Sequence, residues 1–319
     1  LGWRYPAEDA AGLYGVLVQP VEPLLGGRDV IIVPDGVLAL FPFEALMTKE
    51  GEGRAYLIEK YSLKYVQSAS VLGMLRTQYK KEGTSSWFIG FGDPVYDYKN
   101  FREGRPEGVD NARGDKGARA RSLTRGGYLR SGGSLSRLEG SGLEVSEIEN
   151  IFRNRYKQAK SLLRIEAREE EVKSGSLEPY GFIHFSTHGI VDDSFQAIAL
   201  SQIPESKEDG FFTLGEIMNS RFNAQLVTLS ACETGLGRSD RGEGVTGLTR
   251  AVMYAGSPAA VVSLWPVSDE GTRELMVLFY KNMIDEGMTK EAALRRAKIK
   301  LIKASSHPFF WAAFVMYGE

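Results

Sequence analysis

Cysteine is almost missing from this chain: Cys232 is the only one in 319 residues. That excludes an internal disulfide and any multi-cysteine zinc or iron–sulfur site. A formal net charge of −2 gives no global attraction to nucleic acid or to a membrane surface. No apolar run approaches the roughly 20 residues of a membrane span. The opening Leu1-Gly-Trp-Arg-Tyr-Pro6 lacks the basic start and apolar core of a signal peptide. A reducing cytoplasm is the natural setting for a thiol that must stay free. The chain starts on Leu1 rather than methionine, so a piece of a longer protein is expected, with something ahead of it.

What is present is an ordinary globular composition, 43% hydrophobic and 25% charged, long enough for a large core and two domains or two halves of one. Two stretches organise it. Gly181-Phe-Ile-His-Phe-Ser-Thr-His-Gly189 and Leu226-Val-Thr-Leu-Ser-Ala-Cys-Glu-Thr-Gly235 are short β-branched and aromatic runs. Each stops at a reactive residue, His188 or Cys232, followed closely by glycine. Such runs read as buried strands of a parallel sheet, and chemistry in open α/β sheets sits at the carboxyl ends of strands. Neighbouring strands would bring an imidazole and a thiol to one edge, which is what a cysteine nucleophile needs.

Along the chain, a helix is expected near residues 10–18 and strands at 29–33, 61–66 and 87–91, with a helix from about 70 to 80 between the last two. This stretch holds neither His nor Cys and reads as a supporting half. From Arg102 to Arg137 there are nine Lys/Arg, four Asp/Glu and eight Gly. So polar a segment cannot bury enough surface to fold alone and reads as a solvated loop. A nucleic-acid patch is disfavoured, because Tyr128 is its only aromatic residue. Processing within it is a third reading, since nicking concentrates in exposed loops.

Residues 142–152 carry apolar side chains at 143, 145, 148, 151 and 152, a helical face with charge opposite. Short strands at 161–165, 197–200 and 259–264 and helices at 213–219, 270–284 and 289–303 follow. The βαβ alternation predicts an α/β fold with a mainly parallel sheet and helices on both faces. The expected organisation is residues 1–101 as a first half, 102–140 as an Arg/Gly-rich flexible linker and 141–319 as the catalytic half.

The other reactive residues have plainer readings. His184 and His188 are four apart, yet on a strand rather than a zinc-binding helix, so His184 is expected in the core and no metal is expected. His307, before Pro308, reads as an exposed or capping residue. Glycines at 235, 237, 242 and 244 match neither the dinucleotide nor the P-loop spacing, and no Gly-x-Ser-x-Gly elbow occurs. In a thiol–imidazole pair, Cys232 attacks a scissile carbonyl and His188 manages the proton. The backbone N–H groups of Gly189 and Cys232 are the expected oxyanion donors. No Asp or Asn is positioned as a third member.

His184-Phe-Ser-Thr-His-Gly189, Leu229-Ser-Ala-Cys-Glu-Thr-Gly235, Gly242-Glu-Gly-Val-Thr-Gly-Leu-Thr-Arg-Ala251, Ser263-Leu-Trp-Pro-Val-Ser-Asp269 and His307-Pro-Phe-Phe-Trp-Ala-Ala-Phe314 together resemble the CHAT domain, of the caspase–separase group of cysteine peptidases. Val30-Ile-Ile-Val-Pro-Asp-Gly36, Phe41-Pro-Phe-Glu-Ala-Leu46 and Leu57-Ile-Glu-Lys-Tyr61 extend the resemblance to the first half. It implies a caspase-like fold with a silent N-terminal half packed beside the catalytic one, and His188 and Cys232 as the dyad. It also implies tetratricopeptide repeats upstream, or another partner, that hold the protease latent; some relatives act in bacterial defence. By analogy with separases, Asp269 is the expected partner of a basic residue before the cleaved bond, with Asp192, Asp193 and Glu233 beside the dyad. The expectation is a cysteine endopeptidase acting on a protein partner, without a cofactor. The rival is a caspase-fold docking module that does no chemistry.

Overall fold

The computed structural model describes residues 5–27, 29–48, 55–78, 85–107, 135–173, 175, 177–191, 195–230, 232–233, 243–265, 267, 269–304 and 307–319, with only the backbone at 232–233 and 243–246. The strands are β1 (Val30–Ile32), β2 (Leu63–Tyr65), β3 (Phe88–Pro94), β4 (Ala159–Arg164), β5 (Phe182–Ser186), β6 (His188–Val191), β7 (Gln196–Ala199), β8 (Phe211–Thr213), β9 (Leu226–Leu229), β10 (Cys232–Glu233), β11 (Ala259–Ser263) and β12 (Phe314–Gly318). The helices used below are α1 (Glu139–Tyr156), α2 (Asp269–Ile284) and α3 (Lys290–Ala304).

Eight strands form one sheet in the order β1-β2-β12-β11-β9-β5-β3-β4. Every neighbouring pair is parallel except β11 with β12. The central strands are buried along their whole length, as a sheet covered on both faces requires, and that is why they read as unbroken apolar runs. Strands from the first hundred residues interleave with later ones: β3 lies between β5 and β4, and β12 between β2 and β11. All share one hydrophobic core.

A second sheet, β10-β6-β7-β8, grows from the same place. The run ending in His188 is two strands, not one. β5 stops at Ser186 in the main sheet, and His188 opens β6 in the small sheet. The cysteine run divides likewise, β9 ending at Leu229 and Cys232 opening β10. Polar residues stand at both joints, Ser186-Thr187 and Ser230, but a Ser or Thr fits a continuous strand as well as a joint.

Helix α1 lies against β3 at close range. A Cβ on Gly92 would come within 2.7 Å of the Ser141 carbonyl oxygen and 2.9 Å of Val145, so glycine there sets the spacing. The helix turns Ser141, Val145, Ile148 and Phe152 inward, but it exposes Leu143 and buries Glu144. At about 100° per residue Glu144 falls between Ile148 and Ile151 on the apolar face, with Leu143 at its edge, and its carboxylate meets buried His184 there at 2.7 Å. From Trp311 to Gly318 the tail is buried, and it continues into a strand, β12, that its composition does not announce.

Candidate functional site

Strands β5 and β9 are parallel neighbours with Phe182 opposite Leu226 and Phe185 opposite Leu229. Both then pass into the small sheet, where β6 and β10 pair in parallel. The register sets Cys232 opposite His188 and Glu233 opposite Gly189. Adjacent strands lie about 4.8 Å apart, so the two backbones bring the sole cysteine and this histidine alongside each other.

His188 is 4% exposed, and its Nε2 lies 2.8 Å from the backbone carbonyl oxygen of Ser136. A carbonyl can only accept, so Nε2 carries the hydrogen, and in the neutral ring the lone pair is on Nδ1. The backbone N–H of His188 donates to the hydroxyl of Tyr96 at 3.2 Å, and that hydroxyl reaches the Ala199 carbonyl oxygen at 3.2 Å. The Tyr96 ring sits 5.2 Å from the imidazole. Neither Ser136 nor Tyr96 was identified from sequence. A backbone carbonyl has no side-chain signature, and only the position of Tyr96 just past β3, at the carboxyl edge of the sheet, could have pointed to it.

Ser136 belongs to a short strap ahead of α1. Leu135 is buried with Ile190, Ala197, Ala199 and Phe211 of the small sheet. Arg137 forks onto Asp93, with Nε 3.0 Å from Oδ1 and Nη2 2.8 Å from Oδ2. That pairing raises the Arg137 pKa still further. Arg164 approaches the same carboxylate at 2.8 Å and also pairs with Glu107.

Asp269 opens α2 and is half-buried. It packs on Gly140 in the first turn of α1, four residues beyond Ser136, and accepts a hydrogen bond from the Gly140 backbone. Burial, helped by the nearby negative charges of Glu144 and Asp93, pushes its pKa above the usual aspartate value. Asp192 and Asp193 lie outside the described residues, and Glu233 is defined by its backbone register alone.

The remaining histidines match their plain readings. His184 is fully buried, between Glu144 and the Tyr280 hydroxyl at 3.3 Å. His307 is half-buried, and its Nδ1 caps a short turn by accepting from the Phe309 N–H at 3.1 Å. Glu169, Glu208 and Glu216 converge as carboxylates do around a divalent ion. Here the ammonium of Lys173 lies among them, at 2.6, 2.5 and 2.8 Å. No described helix is long and apolar enough to cross a membrane.

Comparison with known proteins gives this geometry its setting. Tetratricopeptide repeat protein 28 of Mus musculus is 24% identical over 326 residues, covering 96% of this chain and 13% of that protein. Its counterpart in Homo sapiens is 30% identical over 132 residues, covering 41% of this chain and 5% of that one. The chain therefore spans a small part of the curated relatives it matches. Among solved structures, the Saccharomyces cerevisiae separase–securin complex at 3.0 Å resembles it with a TM-score of 0.50 and 16% identity, over 91% of this chain and 15% of that one. That likeness bears on the fold alone, a caspase-like α/β arrangement with a mainly parallel sheet. The CHAT domain profile matches from residue 7 to residue 319, so the chain belongs to the CHAT domain family.

Proposed function

We propose that this domain is a cysteine endopeptidase in which Cys232 is the nucleophile and His188 its proton carrier. The observation that carries the reading is the register of β10 on β6, Cys232 opposite His188. The thiolate sulfur attacks the scissile carbonyl carbon, giving a tetrahedral adduct whose oxyanion is met by backbone N–H groups, assigned to Gly189 and Cys232. The His188 imidazole, having taken the thiol proton, gives it to the leaving amine, and an acyl-enzyme remains for water to hydrolyse. The Ser136 carbonyl keeps the ring in one tautomer and stabilises the imidazolium, a role an aspartate fills elsewhere. No metal or cofactor enters this scheme.

Asp269 is proposed to hold a basic side chain of the substrate, with Asp193 and Glu233 contributing negative charge. The substrate is a specific protein, cut after Arg or Lys in a reducing, cytoplasmic setting. The named relatives carry tetratricopeptide repeats in their names. Such repeats, or a separate partner, are proposed to hold the domain latent.

The test is labelling of Cys232 by an electrophilic peptide with arginine next to the reactive group. The expected result is rapid, stoichiometric labelling that His188→Ala abolishes. If Cys232 reacts no faster than free cysteine, with or without His188, the domain is a docking module and the peptidase reading is wrong.

A further inference from the structure

The strap that carries the Ser136 carbonyl is fastened on both sides of that residue, and its fastening at Arg137 has no counterpart in the scheme above. Arg137 gives Asp93 a two-pronged contact, the geometry in which a guanidinium fixes a carboxylate in direction as well as distance. Asp93 is itself held from three further sides. Arg164 reaches both its carboxylate, at 2.8 Å, and its backbone carbonyl, at 3.1 Å. Its backbone N–H donates to the Ser141 hydroxyl at 2.7 Å, and that hydroxyl in turn donates to the Leu138 carbonyl at 2.7 Å. Through its carboxylate and its backbone together, Asp93 thus ties the strap to the start of α1 and to the ends of β3 and β4.

The backbone at this anchor is unusual. Asp93 and Arg164 both have positive φ, 46° and 53°, and neither is glycine. They stand at the carboxyl ends of adjacent strands, beside the one register shift of the β3–β4 pair, between Gly92 and Pro94. Residues held in that region persist where their surroundings over-determine them, and they gather at functional sites. Here the surroundings are the ion pair between the two residues themselves and the fork from Arg137.

We infer that Arg137 is a positioning residue for catalysis: through its fork on Asp93 it holds the Ser136 carbonyl on Nε2 of His188. The inference rests on the reading of His188 as proton carrier. A carbonyl on a loose strap would let the ring turn or change tautomer, leaving Nδ1 protonated when it should accept the thiol proton. A guanidinium anchored to a nearly buried carboxylate (Asp93 side chain 8% exposed) prevents that. Leu135, in its apolar cluster, keeps the other end from swinging.

The experiment uses the whole chain with Arg137→Ala and Arg137→Lys, and reads two quantities. For cleavage of an arginyl peptide, kcat is expected to fall about 10- to 100-fold in Arg137→Ala with KM within about twofold of wild type. Arg137→Lys, which keeps the charge and loses the fork, is expected to recover part of the loss. In nitrogen-15 spectra of the histidine side chains, His188 is expected as the single Nε2–H tautomer in the wild type and as a mixture in Arg137→Ala. An unchanged tautomer in a folded Arg137→Ala protein overturns the inference, whatever happens to kcat. So does a kcat loss that Arg137→Lys does not relieve. Should Arg137→Ala fail to fold, Arg137→Lys gives the same decision through the tautomer mixture alone. Absence of His188-dependent labelling of Cys232 in the wild type would remove the peptidase reading, while the spectra still decide whether Arg137 sets the ring.

Discussion

Cys232 and His188 are opposite one another across the parallel pair of β10 and β6, although 44 positions separate them in sequence. Residues that act as one unit in a reaction lose their value together. Cys232→Ala and His188→Ala are each expected to lower kcat/KM by at least about 10³-fold, with the double variant no worse than the Cys232 variant. Equal activity in His188→Ala and wild type, or a double variant that falls by the product of the two, would show that the two groups do not share a step. Single-turnover rates of peptide cleavage are the measurement.

The acidic residue at the head of α2 gives a pH-dependent prediction. Burial raises the Asp269 pKa, so the carboxylate forms only at a pH above the ordinary aspartate value of 3.8. Only the carboxylate attracts a cation. For substrates with Arg or Lys before the scissile bond, kcat/KM should climb as pH rises through this raised value, and peptides with a neutral residue there should lack that limb. Asp269→Ala is expected to lower kcat/KM for basic substrates by about 10- to 100-fold and to leave neutral ones unaltered. The sign for stability is opposite. A folded state that binds this proton more tightly than the unfolded chain gains from it below the unfolded pKa, and loses that gain as pH rises through the raised value. Asp269→Asn should therefore raise the melting temperature at neutral pH while weakening basic substrates.

How far the sequence could be read depended on where the information sat. The long apolar runs were legible because strands buried on both faces have no polar alternation to confuse them, and β5, β9 and β11 stand close to their expected places. The joints at Thr187 and at Ser230 were illegible, since a lone Ser or Thr is as compatible with a continuous strand as with one that changes sheets. The turn of about 100° per residue puts Glu144 within the apolar face of α1, but nothing in the residue type says that its carboxylate finds an imidazole in the core. The reactive pair stood out as residue types before glycines, whereas the Ser136 carbonyl beside His188 has no side chain to betray it. Arg137 and Asp93 were legible only as charges, one at the end of a basic loop and one in a turn, 44 positions apart in sequence.

The Glu144–His184 contact makes a second structural prediction. Both side chains are at most 1% exposed, and the network runs on through the Tyr280 hydroxyl to Thr228 at 2.8 Å, joining α1, β5, α2 and β9. Glu144→Leu removes the acceptor and strands the imidazole N–H in hydrocarbon, which should cost about 1–3 kcal/mol of unfolding free energy. Glu144→Gln retains an acceptor oxygen of the same shape and should cost less. Urea unfolding of the two variants checks the order, and equal losses would mean that packing of the stem, not the hydrogen bond, stabilises this contact.

A buried ion pair ties the two ends of the chain. Lys298 of α3 is fully buried with its Nζ 3.0 Å from Glu44, which is 2% exposed and also receives the Tyr65 hydroxyl at 2.5 Å. Burial is the main cause of the lowered Lys298 pKa, partly offset by the Glu44 charge, so the ammonium is in an environment that tolerates it only because of its partner. Attraction between such charges does little more than offset their desolvation, but losing one partner leaves the other charged in hydrocarbon. Lys298→Met alone should therefore destabilise the domain by about 3–5 kcal/mol, and Glu44→Gln alone by a comparable amount. The double variant Glu44→Gln/Lys298→Met should be more stable than either single one, because the amide can still accept from Tyr65 and no unpaired charge remains. Denaturant midpoints of the four proteins supply the cycle. Additive losses would mean that the two side chains are not coupled, and that the segment around Phe43–Ala45 is held on α3 by its apolar contacts alone.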